Sequence, residues 1–178
     1  MLHKILVALD TSSSSRSVFE EALTLAKALQ ANLTLLHVLS QVEEGSPDTS
    51  LLSSPEYYVG LGLSTEILQI QRQQWEEFIN RGMEMLRSLT DEATAIGISC
   101  EWTQQPGSPG HTICEFATQN GFDLIVIGRR GRSGLSELFL GSVSNYVLHH
   151  ASCSVLTVQH PVTASKIKTA RSEPAPSI

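Results

Sequence analysis

Apolar residues along the chain follow two periods in turn, and the alternation predicts strands and helices. A continuous apolar run occupies residues 4–9 ("KILVAL") after its charged first residue, and mainly apolar segments occupy residues 32–39 ("NLTLLHVL") and 122–128 ("FDLIVIG"). Runs of this length are typical of strands buried on both faces of a parallel sheet. Two further segments, 98–104 and 153–159, also have the pattern of strands.

Helical periodicity fills the segments between these strands. Residues 11–30 open with polar residues, place Ser17 and Glu20 at the spacing of a capping box, and then repeat apolar residues every three or four positions. Shorter helices are predicted at 108–120, with a proline near the start, and at 142–150. Strand and helix therefore alternate, which predicts an α/β fold with a twisted, mainly parallel sheet covered on both faces.

A long helical pattern runs from about Glu66 to Ile96, and Gly97 is expected to end it. Trp75, Met83 and Met85 are interpreted as packing residues. The residues predicted to form its apolar side are Ile67, Ile70, Phe78, Ile79, Met85, Leu86, Leu89 and Ala93.

Two segments do not follow the alternation. Residues 40–65 contain two prolines, three glycines and no lysine or arginine, and are interpreted as a variable insertion that either packs on its own surface or forms a lid or an interface. Residues 161–178 are poor in large apolar groups and are expected to form a mobile tail. We therefore expect one domain over residues 1–160.

Composition narrows the class of protein. The 178 residues carry a net charge of −6, which argues against general affinity for nucleic acid or an anionic membrane. No stretch approaches the ~18 consecutive apolar residues of a membrane helix, and the short apolar run at the N-terminus does not resemble a signal segment. We expect a cytosolic, that is cytoplasmic, protein with no nucleic-acid or membrane partner.

Cysteine and histidine spacing gives little sign of a metal or disulfide framework. Cys100, Cys114 and Cys153 are odd in number and widely spaced, so we interpret them as small core residues. His149 and His150 are adjacent at a predicted helix end, and adjacent helical side chains point about 100° apart, which makes them a poor ligand pair.

Glycines, arginines and serines concentrate between residues 123 and 158. Gly128 directly follows the buried run "LIVI", and Gly141 directly precedes a helix that begins "SVSN". Ligands of open α/β sheets bind beyond the carboxyl ends of the strands, where Gly128 and Asp10 would both project. Backbone N–H groups at the helix start, with the hydroxyls of Ser142 and Ser144, could then bind phosphate oxygens.

Other residues of this stretch fit the same interpretation. Gly131 and Gly134 permit a tight loop, and Arg129, Arg130 and Arg132 would add positive charge. The alternative is a flexible surface loop with a capping serine and solvated arginines.

The spacing Gly128-x2-Gly131-x9-Gly141-Ser142 resembles the nucleotide-binding fingerprint of the universal stress protein family. The resemblance extends over residues 2–159, with "HKILVALDTSSSS" as the first strand and turn and "LTLLHVL" as the second strand. It implies a five-stranded parallel sheet in the order 3-2-1-4-5 with helices on both faces, a Rossmann-like arrangement of the adenine nucleotide alpha hydrolase type. It assigns to adenine and ribose Ala8, Leu9, Asp10, Val38, Ile127 and Gly128. It assigns to the phosphates Arg129, Gly131, Gly141, Ser142, Val143 and Ser144.

The resemblance implies ATP as the ligand and leaves AMP and cyclic nucleotides open. We expect a stress-response regulatory protein that binds ATP, with or without Mg²⁺, and forms a homodimer through the apolar edge strand at residues 154–158. The alternative is a slow ATPase or an ATP-consuming phosphotransfer enzyme, in which Asp10 helps to hold metal. No general base is evident, so no catalytic residue is assigned.

Overall fold

The computed structural model describes residues 2–41, 43, 46–47, 65–129 and 140–159. Within these ranges, strands and helices alternate along the chain. The strands are β1 (Lys4–Leu9), β2 (Asn32–Leu39), β3 (Cys100–Pro106), β4 (Leu124–Gly128) and β5 (Ser154–Val158). The helices are α1 (Ser15–Leu29), α2 (Thr65–Ala95), α3 (Pro109–Asn120) and α4 (Ser142–His150).

The five strands form one parallel sheet in the order β3-β2-β1-β4-β5, as the resemblance implied. Ala8 in the central strand lies opposite Leu36 on one side and Ile127 on the other. The chain winds outward from β1 to β3 and then in the other direction through β4 and β5. The reversal therefore falls between β1 and β4, where folds of this kind bind ligands.

Both faces of the sheet are buried, which explains why β1 is apolar without interruption from Ile5 to Leu9. Ile5, Val7 and Leu9 belong to a core cluster with residues of α1 and α2. Leu6 and Ala8 point to the opposite cluster, with residues of α3 and α4. Each fully buried aliphatic side chain stabilises the fold by ~1.5–3 kcal/mol relative to its exposed state.

Helix α1 begins earlier than the sequence predicts. The helix starts at Ser15, so Ser17 lies within its first turn, and the prediction of a capping box at Ser17 and Glu20 was wrong. Ser14 occupies the N-cap position, but its side chain makes no capping hydrogen bond. Its hydroxyl instead lies 2.6 Å from that of Ser12, in a turn that is organised around Asp10.

Helix α2 ends as predicted. Gly97 has a φ of +84°, a left-handed conformation that glycine adopts without steric cost. The N–H of Ile98 donates to the carbonyl of Ala93 (3.1 Å), which closes the last turn.

The predicted apolar side of α2 was wrong in its first turns. Ile67 and Ile70 are 38% and 55% exposed, whereas Phe78 and Leu86 are buried. The 31-residue helix is about 46 Å long, roughly twice the length of the strands on which it packs. Its first turns therefore extend past the sheet.

The remaining predictions for this part of the chain concern packing. Trp75 packs against Phe78 with ring centroids 5.5 Å apart, and Met85 packs against the core. The three cysteines are free thiols; Cys114 is buried, whereas Cys100 and Cys153 are half-buried. Burial raises the pKa of each thiol, as expected for packing cysteines and not for nucleophiles.

No helix in the described part of the chain is long and apolar enough to cross a membrane. The predicted tail at 161–178 lies outside the described residues, as does most of the insertion at 40–65.

Candidate functional site

The carboxyl ends of β1, β2 and β4 bring together the residues expected to contact adenine and ribose. Ala8 and Ile127 lie opposite each other in neighbouring strands. Val38 follows His37, which lies opposite Leu9. Ala8, Val38 and Ile127 are at most 8% exposed, and their side chains belong to the core cluster that includes residues of α3 and α4.

Asp10 follows β1 in a turn built from serines. Its Oδ1 atom accepts hydrogen bonds from the N–H (3.1 Å) and hydroxyl (2.5 Å) of Ser12 and lies 2.9 Å from the Ser15 hydroxyl. An acidic side chain that bonds the backbone two residues ahead is a common turn former. Among the described residues, no hydrogen bond reaches Oδ2, so one carboxylate oxygen retains its accepting capacity.

The ends of the glycine-rich segment are held together beyond β4. The N–H of Gly141 donates to the carbonyl of Arg129 (2.9 Å), and the Ser144 hydroxyl lies 2.8 Å from the same carbonyl. The N–H of Arg129 donates to the carbonyl of Val158 in β5 (2.7 Å). These bonds fix the start of α4 against the carboxyl end of β4. Gly131, Gly134, Arg130 and Arg132 lie outside the described residues.

Ser144 differs from its expected role in one respect. Its side chain is buried, and its hydroxyl lies within bonding distance of the carbonyls of Arg129 and Gly141 (3.0 Å). Because a hydroxyl has one proton, this donor is committed to the backbone. Any bond from Ser144 to an anion must come from its backbone N–H.

The first turn of α4 presents uncapped amides. Gly141 occupies the N-cap position with an extended backbone, no side chain of a described residue caps the helix, and its first turn has no acidic residue. The first intrahelical bond runs from the N–H of Asn145 to the carbonyl of Gly141 (2.8 Å). The N–H groups of Ser142, Val143 and Ser144 precede that bond, and at a helix start such groups attract anions. Ser142 is exposed and does not cap the helix, contrary to the alternative interpretation of this stretch.

The backbone of Arg129 lies beside this turn, and its side chain carries a positive charge. Its Nη1 atom donates to the side-chain oxygen of Gln159 (2.7 Å), which anchors the guanidinium on the residue after β5.

Comparison with known proteins identifies the family of the chain and supports its fold. The sequence model of the Universal stress protein family matches residues 1–159. The chain belongs to the universal stress protein family. Universal stress protein Sll1388 of Synechocystis is 39% identical over 157 residues, which span 88% of this chain and 97% of the relative. Universal stress protein YxiE of Bacillus subtilis is 35% identical over 160 residues, which span 89% of this chain and 100% of the relative.

Three solved structures with the same fold contain adenine nucleotides. A universal stress protein family member of Arabidopsis thaliana was solved with AMP bound; its TM-score is 0.60 at 22% identity, over 90% of this chain and 93% of that chain. A second universal stress protein was solved in complex with cAMP; its TM-score is 0.59 at 24% identity, over 88% of this chain and 96% of that chain. The universal stress protein of Archaeoglobus fulgidus was solved in complex with dAMP; its TM-score is 0.56 at 17% identity, over 88% of this chain and 97% of that chain.

This universal stress protein also has a buried polar cluster that the sequence analysis missed. His37 is fully buried, and its Nε2 lies 2.8 Å from Oε2 of Glu43. Oε1 of Glu43 accepts hydrogen bonds from the N–H (2.7 Å) and hydroxyl (2.9 Å) of Thr11, the residue after Asp10. A histidine inside the apolar run of β2 was an available signal for a buried partner, whereas nothing in the sequence singled out Glu43.

Side chains for a metal are few. Within the described ranges, no group of three or more His, Cys, Asp or Glu residues is arranged to hold a metal ion. His150 stacks on Tyr146 at 3.9 Å between ring centroids, and its Nδ1 lies 2.8 Å from the Tyr146 carbonyl, so the ring is used in packing.

Proposed function

We propose that this universal stress protein binds an adenine nucleotide, with ATP as the preferred ligand, beyond the carboxyl ends of β1 and β4. The observation that carries the proposal is the uncapped first turn of α4, which is fixed to Arg129 by two hydrogen bonds at the reversal point of the sheet. Amides at a helix start bind phosphate oxygens through both direct hydrogen bonds and the helix dipole.

Each part of a nucleotide has suitable partners at this edge. Adenine would lie at the strand ends formed by Ala8, Leu9 and Val38, whose side chains are buried and apolar. The ribose would lie near Ile127 and Gly128, and its hydroxyls would donate to Oδ2 of Asp10. The phosphates would bind the amides at residues 142–144 together with Arg129, Gly131 and Gly141.

Mg²⁺ would bind through the nucleotide. This ion is commonly held by one or two carboxylates plus substrate phosphates and water. Asp10 supplies one carboxylate beside the expected phosphate position, so the site is compatible with Mg-ATP. The ion would neutralise phosphate charge there.

We propose a regulatory role in preference to ATP turnover. A general base typically accelerates a reaction ~10²–10⁴-fold, and the described residues near the strand ends offer no suitable group. His37 is fully buried and bonded through both ring nitrogens. His149 and His150 lie at the far end of α4, about 12 Å from its start. The alternative, a slow ATPase or phosphotransfer enzyme, would use Asp10 to hold the metal.

We also propose a homodimer and a cytoplasmic location. Strand β5 is at one end of the sheet and pairs with β4 alone among the described strands, so its outer edge can pair with a second copy. Free thiols favour a reducing compartment, and the proposed ligand is abundant in the cytoplasm.

Thermal unfolding with and without nucleotide tests the central proposal. A ligand at 100 times its dissociation constant stabilises the fold by ~2.7 kcal/mol, which corresponds to a rise of about 5–10 °C in the midpoint. ATP, AMP and cAMP are compared with guanosine triphosphate as the control. The proposal predicts a shift with the adenine nucleotides that is largest with Mg-ATP, and no shift with any of them would refute it. Hydrolysis at ~10 s⁻¹, a typical enzyme rate, would favour the enzyme alternative.

A further inference from the structure

The buried cluster around His37 connects five parts of the fold at the edge where the nucleotide is proposed to bind. We define the His37 network as Thr11, His37, Glu43, Gln104 and the backbone carbonyl of Ile79. It joins the turn after β1 to β2, β3 and α2, and Glu43 lies in the turn that follows β2. That turn is closed by a bond from the Glu43 N–H to the carbonyl of Ser40 (3.1 Å).

The protonation of the network follows from its partners. The Ile79 carbonyl can only accept, and it lies 3.3 Å from Nε2 of Gln104, so this atom is the amide nitrogen. The same nitrogen lies 2.8 Å from Nδ1 of His37, which must therefore accept. His37 is thus the neutral tautomer with its proton on Nε2, and it donates to Glu43.

Glu43 is consequently an ionised carboxylate with three donors. It accepts from the imidazole and from the N–H and hydroxyl of Thr11, and its side chain is only 8% exposed. A glutamine at this position cannot satisfy all three donors. If its oxygen faces Thr11, its NH₂ group meets the Nε2–H of His37; if it is reversed, the N–H of Thr11 meets NH₂ instead.

Packing leaves the network little room to rearrange. Gly82 in α2 lies directly against it, and a Cβ atom at this position would overlap the side chains of His37 and Gln104. The ring of Phe78 contacts the imidazole edge-on at 6.1 Å between centroids.

We infer that His37 and Glu43 are positioning residues that set the affinity for the adenine nucleotide. Thr11 directly follows Asp10, and Val38 directly follows His37, so the network fixes the two sides of the proposed adenine and ribose site relative to each other. The inference rests on the proposed function. It adds that the segment after β2 controls the binding geometry through a buried carboxylate and not through contact with the ligand.

The test compares nucleotide affinity with fold stability in Glu43→Gln. A purely electrostatic effect predicts that removing a negative charge from this edge of the sheet strengthens the binding of anionic ATP, whereas loss of positioning predicts that binding weakens. We expect about a ten-fold weaker affinity by isothermal titration calorimetry, from the loss of a charge-assisted bond to Thr11. Glu20→Gln is the matched control: it removes the same charge from an exposed helix position, and its affinity should stay at the wild-type value.

Two further measurements separate positioning from general destabilisation. Binding is measured under conditions in which urea titration shows both variants fully folded. Long-range ¹H–¹⁵N spectra of the wild type should show the Nε2-protonated tautomer of His37 near neutral pH. A variant that is less stable but binds ATP as tightly as the wild type, or more tightly, would overturn the inference and leave the proposed function intact. A doubly protonated or Nδ1-protonated His37 would also overturn it. Failure of the wild type to bind any adenine nucleotide would refute both the proposed function and the inference about His37 and Glu43.

Discussion

Replacement of Asp10 by asparagine separates the ligand-binding role of this residue from its role in the turn after β1. Asparagine keeps an oxygen that can accept the bonds now made by Ser12 and Ser15 to Oδ1. It replaces Oδ2, which accepts no hydrogen bond from a described residue, with an NH₂ group that cannot accept. The fold should therefore lose little, whereas a ribose hydroxyl that donates to Oδ2 should lose its partner.

The magnitude follows from the kind of bond that is removed. Hydrogen bonds to charged groups contribute about 1.5–3 kcal/mol, and losing one should weaken binding about 10–150-fold. In the turn, a neutral amide oxygen replaces a charged carboxylate oxygen as the hydrogen-bond acceptor, at a half-exposed position. The free energy of unfolding should therefore fall by no more than ~1 kcal/mol. Calorimetric titration with AMP measures the first quantity, and urea unfolding measures the second.

Deoxy-AMP provides an internal control for this prediction. If Oδ2 accepts from the 2′-hydroxyl, the substitution should weaken AMP binding more than deoxy-AMP binding, because the deoxy ligand lacks that donor. If Asp10 also holds Mg²⁺, the loss should be larger for Mg-ATP than for AMP. Equal affinity of Asp10→Asn and wild type for all three ligands would refute the assignment of Asp10 to the site.

Three further changes test other parts of the structure. Gly141→Val adds bulk beside the phosphate amides at a φ of −63°, which valine adopts without strain, so ATP affinity should be lost while the urea midpoint is kept; a large fall in stability would contradict this. Thr157→Lys in the edge strand should give a monomer by light scattering, whereas Val155 and Val158 are poorer choices because they pack on the core of their own chain. Asp123 accepts hydrogen bonds from the N–H of His3 and of Lys4, which lower its pKa. The contribution of the Asp123 carboxylate to stability is present above its ordinary pKa and is lost as the pH falls through the lowered pKa. Wild type and Asp123→Asn should therefore differ in urea stability near neutral pH and converge in acid. A difference that stays constant with pH would refute this.

The strands were predictable because burial on both faces of the sheet requires a mainly apolar sequence. From Ile5 to Leu9, residues in β1 alternate between two core clusters, so these positions are all apolar, whereas Lys4 at the start of the strand is exposed. The order of the strands was implied by the family resemblance, because periodicity identifies a strand but not its neighbours.

The errors arose where a tertiary contact decided between local alternatives. Ser17 and Glu20 have the spacing of a capping box, yet the helix begins at Ser15, whose hydroxyl lies 2.6 Å from the carbonyl of Asp10. Ile67 and Ile70 follow the apolar period of α2, but a period gives only the direction of a helix face. Which turns are covered depends on how far the sheet extends.

For the candidate site, the strand ends that meet there were predictable from the sequence, but the hydrogen bonds that hold those ends together were not. Gly128 and Gly141 predict close approach of a ligand, but the bond between Thr11 and Glu43 joins residues 32 positions apart, and only the segment that contains Glu43 has the sequence of a loop. The use of the serine hydroxyls was equally hidden, because serine at a helix start usually caps the backbone amides.

Two buried serines show what this difference means for the site. Ser15 lies at the start of α1 with its hydroxyl near the carbonyl of Asp10, and Ser144 lies in the first turn of α4 with its hydroxyl near the carbonyl of Arg129. Both are at most 5% exposed, and both link a helix start to the residue that follows a strand. Because the Ser144 hydroxyl bonds a carbonyl and not an amide, it fixes α4 beside β4 while the N–H groups of its first turn stay uncapped. A side-chain cap at such a position contributes about 1 kcal/mol, so the arrangement forgoes local stability at the point where an anionic ligand would restore it.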